Sequence, residues 1–552
     1  MNELIVQWLS YDQERPLFFT QLYFWGFFAF ILSVYSIVHR QKAMRNAFLF
    51  LASLFFYYKT SGLFLFILIF STLVDFGIGH AIFKSKGKIN RQLWVALSVT
   101  VNLLVLGYFK YAYFVADFLN DYFSAGVQPV NHFALMSNQW FGTDFVFDRI
   151  MLPVGISFFT FQTISYSVDI YRGHIKPVKS ILDFGFYVSF FPQLVAGPIV
   201  RASEFIPQLY KPYSLDKKTF GIALFWILNG LLKKVLLADY LAVNFVDRVF
   251  ENPSLYTGFE NMMALFGYSI QVYADFSGYT DIAIGVALLL GFQLPKNFNS
   301  PYKASSVGEF WKRWHISLST WLQDYLYIPI GGNRGGSLFS YLAIVIILFS
   351  LSLLSSSWIL PLVSGIVLIT FSLGMSISAK YRLWVEHNVN LMLTMLIGGL
   401  WHGSSWNFVI WGGLNGLGLI VYKMWKKISP WKDKSKWYFR AWGILLTFTF
   451  ITFTRTWFRN ESFEKARLML NRIGGQFQSD LVWEIVSNTW SVFAMMLIGM
   501  IIHWLPTTFK ENYRKRFAES HWSIQLTLAF FSVIMAYQVL SADLQPFIYF
   551  AF

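Results

Sequence analysis

The chain has 552 residues, of which 56% are hydrophobic, 20% aromatic and only 13% charged. Soluble domains carry about 25% charged residues, and here apolar runs recur along the whole length, so an ordinary soluble domain is excluded in favour of a polytopic membrane protein. The absence of cysteine excludes a cysteine nucleophile, a disulfide framework and thiolate zinc, and the net charge of +15 lies in short loops between apolar runs rather than in a nucleic-acid-binding face.

In chain order, candidate spans fall at 17–38, 47–58, 61–83, 92–119, 150–168, 219–246, 261–292, 338–357, 359–378, 388–422, 441–458, 485–505 and 522–541. The first residues hold Glu3, Asp12, Glu14 and Arg15 instead of a basic leader, so 17–38 reads as an uncleaved first helix. Lys59-Thr60-Ser61-Gly62 reads as a hinge that makes 47–83 a hairpin. It leaves Arg40, Lys42, Arg45, Lys84, Lys86, Lys88 and Arg91 on one side, which the positive-inside bias assigns to the cytoplasm. The acidic stretch 120–149 is then outside and the basic loop 169–180 inside.

Residues 181–200 are followed again by basic residues, from Arg201 to Lys218, and carry Pro192 and Gly197-Pro198. They read as a re-entrant element that dips into the membrane and returns. Residues 293–337 are too polar to span. Trp311, Trp314 and Trp321, with Lys312 and Arg313 beside them, predict an amphipathic helix at the cytoplasmic mouth. The segment 388–422 is flanked by basic residues on both ends (Lys380 and Arg382; Lys423, Lys426, Lys427, Lys432, Lys434 and Lys436), which predicts two short half-helices broken near Gly398-Gly399 or Gly403. Both termini come out on the extracytoplasmic side. The expected fold is a single all-α membrane-embedded domain over 1–552.

His402 is an ionisable group with no acid or base within ten residues on either side. Intramembrane ionisable groups are costly and mark function, and a neutral imidazole is the cheapest base to bury; His402 is the candidate catalytic base. Gly403 beside it would allow a substrate or another backbone to approach closely. His315, in FWKRWHIS, is a second candidate, with a helix-surface histidine as the competing reading. GGNRGG (331–336) lacks the GK[ST] ending of a nucleotide loop, and reads either as a flexible turn or, with Arg313, Lys312 and Lys303, as a grip for phosphates. Asp275 and Asp281 flank a Ser-Gly break and are expected to pair with Lys233 and Lys234. No metal-ligand cluster is present in the sequence pattern.

Three blocks together resemble the membrane-bound O-acyltransferases: FPQLVAGPIVRASEFIPQL (191–209), PKNFNSPYKASSVGEFWKRWHISLSTWLQDYLYIPIGGNR (295–334) and LMLTMLIGGLWHGSSWNFVIWGGLNG (391–416). TRTWFRNESFEKARLML (454–470) and the terminal PFIYF (546–550) match as well, and more narrowly the blocks resemble the bacterial branch that contains the alginate O-acetyltransferase membrane subunit. The resemblance implies helices around a transmembrane tunnel, with His402 and His315 as catalytic residues. Arg313, Trp314, Asn333, Arg334, Trp401 and Asn407 are the candidate donor- or substrate-binding residues, Asn407 and His315 also as hydrogen-bond donors to an oxyanion. It implies no bound cofactor, and acetyl-CoA or another acyl thioester as a cytoplasmic donor. The acyl group then goes to a hydroxyl of a secreted polysaccharide, or to an extracytoplasmic partner transferase, at a bacterial cytoplasmic membrane.

Two features depart from the family pattern. Asn415 stands where many relatives have the histidine of WGxxHG, and two apolar runs in 337–386 form an expected extra hairpin. The competing readings are D-alanyl transfer to teichoic acids, against which the AGPIxR block (Ala196 to Arg201) leans, a transporter or flippase, and a scaffold that recruits a soluble transferase.

Overall fold

A chain in lipid must satisfy its backbone N–H and C=O groups internally, and the apolar runs do so as helices. The computed structural model describes residues 10–12, 16–142, 149–195, 197–353, 359–429 and 436–540, and among these there is no strand. Glu3, Glu14, Arg15, Ala196, Lys432, Lys434 and the terminal PFIYF lie outside the described residues. Among the described residues, four helical stretches are long and apolar enough to cross a membrane: Lys42–Lys84, Lys88–Phe123, Lys217–Glu251 and Ile359–Ile377. This is a multi-pass helical membrane bundle.

Several expected spans take a different form. The hairpin expected over 47–83 does not form: Lys42–Lys84 runs on as one apolar stretch, and Gly62 (φ 60°) leads only a single 3-10 turn between Lys42–Ser61 and Leu65–Lys84. The run 485–505 is divided at Thr489, where Ser479–Asn488 and Trp490–Trp504 meet at 86°. The Ser-Gly break expected at 277–278 is absent: Gly258–Leu289 is one continuous 32-residue helix. Gly278 serves close approach instead, since a Cβ there would meet the Gly230 carbonyl oxygen at 2.8 Å, and one on Gly230 the Gly278 carbonyl oxygen at 2.5 Å. Ion pairs join the same two segments. Lys233 meets Asp281 at 2.7 Å, and Lys234 lies between Asp239 and Asp275, 2.7 Å from each.

Residues 181–200 do not form a single long helix. Ile181–Ser189 is roughly 13 Å long, too short for a hydrocarbon core of about 30 Å, and the chain bends at Phe190 into the one-turn helix Phe191–Leu194. Irregular backbone is tolerated at such depth when protein covers it, and Phe184–Leu194 is buried throughout.

The single amphipathic helix expected across Trp311–Trp321 does not form. Val307–Trp311 ends, His315 takes a left-handed backbone (φ 43°), and Ile316–Leu322 starts anew. Trp314 and Trp321 face inward rather than lying on an interface. Nor is 388–422 a pair of short half-helices. Ala379–His402 and Trp406–Ile428 are full helices, roughly 36 and 35 Å long, with the turn at Gly403–Ser405. Gly399 stays helical because it is a contact point: a Cβ on it would meet the Phe408 carbonyl oxygen at 2.3 Å, and one on Gly412 the Met395 carbonyl oxygen at 2.4 Å. Residues 337–386 contain the helices Leu338–Leu353 and Ile359–Ile377, which pack on one another and on Ala379–His402.

Two aromatic-rich cores result. One includes Phe161, Trp321 and Trp401; the other includes Trp314, Phe408, Trp411 and Phe458. His402 and His315 lie at their seam.

Candidate active site

His402 is the last residue of its helix and is 3% exposed. Its imidazole is walled by aromatic rings, with centroids at 4.9 Å for Trp401, 5.1 Å for Trp411 and 5.3 Å for Phe458. The left-handed turn at His315 aims that side chain inward, where it is fully buried, so it is not a helix-surface histidine. The two imidazole centroids lie 6.4 Å apart. His315 packs edge-on against Phe276 at 4.7 Å and Trp401 at 5.8 Å. Its Nδ1 faces Asn297 Oδ1 at 3.2 Å, and that oxygen also accepts from the Ser317 amide and hydroxyl. Asn297 thereby fixes the orientation of the His315 ring.

The C-terminal carbonyls of the His402 helix are capped from another segment. At Gly107–Tyr111 the Lys88–Phe123 stretch widens into a π-turn, a feature frequent at functional sites. There Lys110 Nζ donates to the carbonyl oxygens of Trp401 (2.6 Å) and His402 (3.3 Å), and Tyr111 Oη donates to that of Leu400 (2.7 Å). A cation at a helix C-terminus complements the macrodipole, and these contacts satisfy three carbonyls that have no partner within the helix. Lys110 stands near the middle of a 36-residue span, which sets His402 within the apolar depth of the bundle.

Beside His402 is a narrow cavity of about 10 Å³, room for one water molecule, lined by Trp314, Trp411, Phe458, Asn415 and Arg455 among others. Gly403, expected to admit a substrate, instead accommodates a ring: a Cβ there would meet Phe408 at 2.0 Å. Asn407 turns away as well. Its amide donates to the Asn460 carbonyl at 2.8 Å, joining the Trp406–Ile428 helix to the segment after Arg459. Among the described residues no group of His, Asp and Glu could hold a metal ion.

The remaining expected residues divide between two places. Trp401 and Trp314 line the histidine site. Arg313 is paired with Glu309 (2.9 Å) and donates to the Asn299 carbonyl, so its charge is engaged locally. Asn333 and Arg334 sit on the GGNRGG turn, where Asn333 accepts from Tyr327 Oη and lines a separate open recess of about 580 Å³ with Lys380, Lys427, His387, Tyr381 and Trp384. His387 and His402 share a helix and are roughly 22 Å apart along it.

Residues 172–354 match the sequence profile of MBOAT, the membrane-bound O-acyltransferase family. The chain is 33% identical over 491 residues to the "Peptidoglycan O-acetyltransferase" of Helicobacter pylori, covering 84% of this chain and 79% of that one. The chain belongs to the membrane-bound O-acyltransferase family. Within it, the "Probable alginate O-acetylase AlgI" of Azotobacter vinelandii is 38% identical over 383 residues, or 68% of this chain. The match spans 63% of that relative's own length, under two thirds. The "Teichoic acid D-alanyltransferase" of Bacillus subtilis is 26% identical over 54% of this chain and 67% of its own.

Lys110, Tyr111, Asn297, Asn415 and Arg455 were not singled out as site residues by sequence reasoning. The rule that selects His402, an ionisable group inside an apolar run, applies equally to Lys110 in GYFKYAY and to Arg455 in FTRTWF.

Proposed function

We propose that this protein is an O-acetyltransferase of a bacterial cytoplasmic membrane, with both termini extracytoplasmic. It takes the acetyl group of a cytoplasmic thioester, acetyl-CoA, and delivers it to a hydroxyl of a secreted polysaccharide or of an extracytoplasmic partner transferase. The observation that carries this reading is the meeting of His402 and His315, 87 positions apart in sequence, as buried rings with centroids 6.4 Å apart, His402 also lining an aromatic cavity.

In the reaction, His402 accepts the proton of the attacking hydroxyl as its oxygen forms a bond to the thioester carbonyl carbon. The tetrahedral intermediate then collapses, the C–S bond breaks, and the departing thiolate takes the proton back from His402. Positioned acid–base catalysis of this kind contributes roughly 10²–10⁴-fold. The dry aromatic walls strengthen every hydrogen bond to the charge that develops. His315, held by Asn297, lies beside the His402 ring as a second polar group.

The recess at Asn333, Lys380, Lys427 and His387 supports the donor assignment. Lysine ammonium groups there suit phosphates and the Trp384 and Tyr381 rings suit a flat base, while an extended thiol arm would have to cover roughly 22 Å to reach His402. The higher identity to the O-acetylating relatives than to the D-alanyl transferase favours acetyl as the group moved.

The test is purified protein in lipid nanodiscs with acetyl-labelled CoA and a soluble polysaccharide or the partner transferase. Label appearing as an ester with the wild type and not with His402→Ala supports the proposal. Passage of donor or acceptor across the membrane without ester formation would support a transporter instead.

A further inference from the structure

The His402 cavity contains two polar groups to which no role has been assigned. Arg455 belongs to the Trp437–Arg459 helix and is 4% exposed. Its guanidinium lies over the Trp314 ring at 4.8 Å and the Tyr302 ring at 5.5 Å. One nitrogen, Nη1, donates to the Ser269 carbonyl (3.0 Å) and to Tyr302 Oη (2.8 Å). The guanidinium is thus fixed in plane and position by one edge, and its remaining N–H groups have no protein acceptor among the described residues. No carboxylate lines the cavity.

Asn415 is fully buried and lines the same cavity from the Trp406–Ile428 helix. Its Nδ2 must be the atom that faces the Trp411 carbonyl (2.9 Å), because a carbonyl needs a donor, and this fixes the amide orientation. Oδ1 then points the other way and has no hydrogen-bond partner among the described residues. A buried acceptor left without a donor keeps its desolvation cost unrepaid, and a bound O–H or N–H removes that cost.

We infer that Arg455 and Asn415 form the polar clamp of the acyl-transfer site. Arg455 donates to the thioester carbonyl oxygen as it becomes the oxyanion, and Asn415 Oδ1 accepts an O–H or N–H from the bound substrate. This rests on the reading of His402 as the base. It reassigns the oxyanion donor from Asn407, whose amide is engaged with Asn460, to a guanidinium already lining the His402 cavity. An arginine held on one edge keeps its other donors oriented with little loss of side-chain freedom on binding, which is the condition for electrostatic preorganisation. The cavity holds only about one water as it stands, so an acetyl group enters as the aromatic walls part.

The experiment measures acetyl transfer by full-length protein in nanodiscs for Arg455→Gln, Arg455→Lys and Asn415→Ala beside His402→Ala, with thermal melting to verify folding. Arg455→Gln is expected to lower kcat roughly 10²–10³-fold with donor KM little changed, as removal of an oxyanion donor does. Arg455→Lys should recover part of that loss, and Asn415→Ala should raise KM for the acceptor more than it lowers kcat. If Arg455→Gln does not fold, the decision falls to Arg455→Lys, for which wild-type kcat would assign the residue to structure and overturn the inference. Folded Arg455→Gln with wild-type kcat, or Asn415→Ala with both constants unchanged, would also overturn it. Retained transfer in His402→Ala is a different result, and it would bring down the underlying reading of the base.

Discussion

Lys110 Nζ lies 2.6 Å from the carbonyl oxygen of Trp401, so a cation from one span closes the end of the helix that terminates in His402. Hydrogen bonds to charged groups are worth about 1.5–3 kcal/mol, and here they set the position of the next residue's side chain. Lys110→Met is expected to lower kcat by tenfold or more with substrate KM little changed, because the His402 ring loses its fixed placement rather than a substrate contact. Lys110→Arg, which restores a donor to the same carbonyls, should recover most of the rate. Steady-state kinetics on the purified variants checks both.

His315 offers a way to separate ring from backbone. It sits at φ 43°, where alanine is strained and asparagine is tolerated. His315→Asn, which keeps the backbone geometry and loses only ring packing, is therefore expected to fold and lose most acetyl transfer. His315→Ala should lose a similar amount of transfer and also about 1 kcal/mol of stability. Melting curves and transfer rates on the pair report the two effects independently.

Gly399 and Gly412 let the Ala379–His402 and Trp406–Ile428 helices touch backbone to backbone. Gly399→Val places side-chain atoms where the Phe408 carbonyl lies and should destabilise by roughly 1–3 kcal/mol, the usual cost of overpacking. The expected result is reduced yield and a lower melting temperature. Gly413→Ala, whose Cβ would meet only Leu396 at 3.5 Å, should be nearly silent in the same measurements.

Asn407 should behave as a structural residue. Its amide joins the start of one helix to the Asn460 carbonyl at 2.8 Å. Asn407→Ala is expected to lower melting temperature while the folded fraction keeps its kcat, which active-site titration followed by turnover measurement would show.

Much of the bundle was legible from hydropathy and charge, because the demand for internal backbone bonding leaves few alternatives in lipid. His402 was legible for a related reason: one imidazole in a long apolar run has no solvent to explain it. The Lys233 and Lys234 pairings with Asp281 and Asp275 followed from the same cost of burying charge. The local breaks were less legible. Ser277-Gly278 and Gly398-Gly399 read as breaks, yet Gly278 and Gly399 are contact points, because the same lack of a side chain permits either a bend or a close approach; the turn falls instead at Gly403, the other expected break. Tryptophan spacing implied a helix through His315, and only tertiary burial of that ring explains the left-handed turn that interrupts it. Lys110 and Arg455 lie inside the apolar runs 92–119 and 441–458, so the cost of burying charge marks them as well, but what each of them does emerges only from what faces it across the bundle.

The central claim is that the His402 imidazole carries out transfer of an acyl group to a secreted polymer. The most direct measurement is NMR of the secreted polymers from a deletion strain complemented with wild type or with His402→Ala, at matched membrane protein levels. The account predicts that one class of O-acetyl ester is present with the wild type and absent with His402→Ala. Equal ester content in the two strains would contradict it.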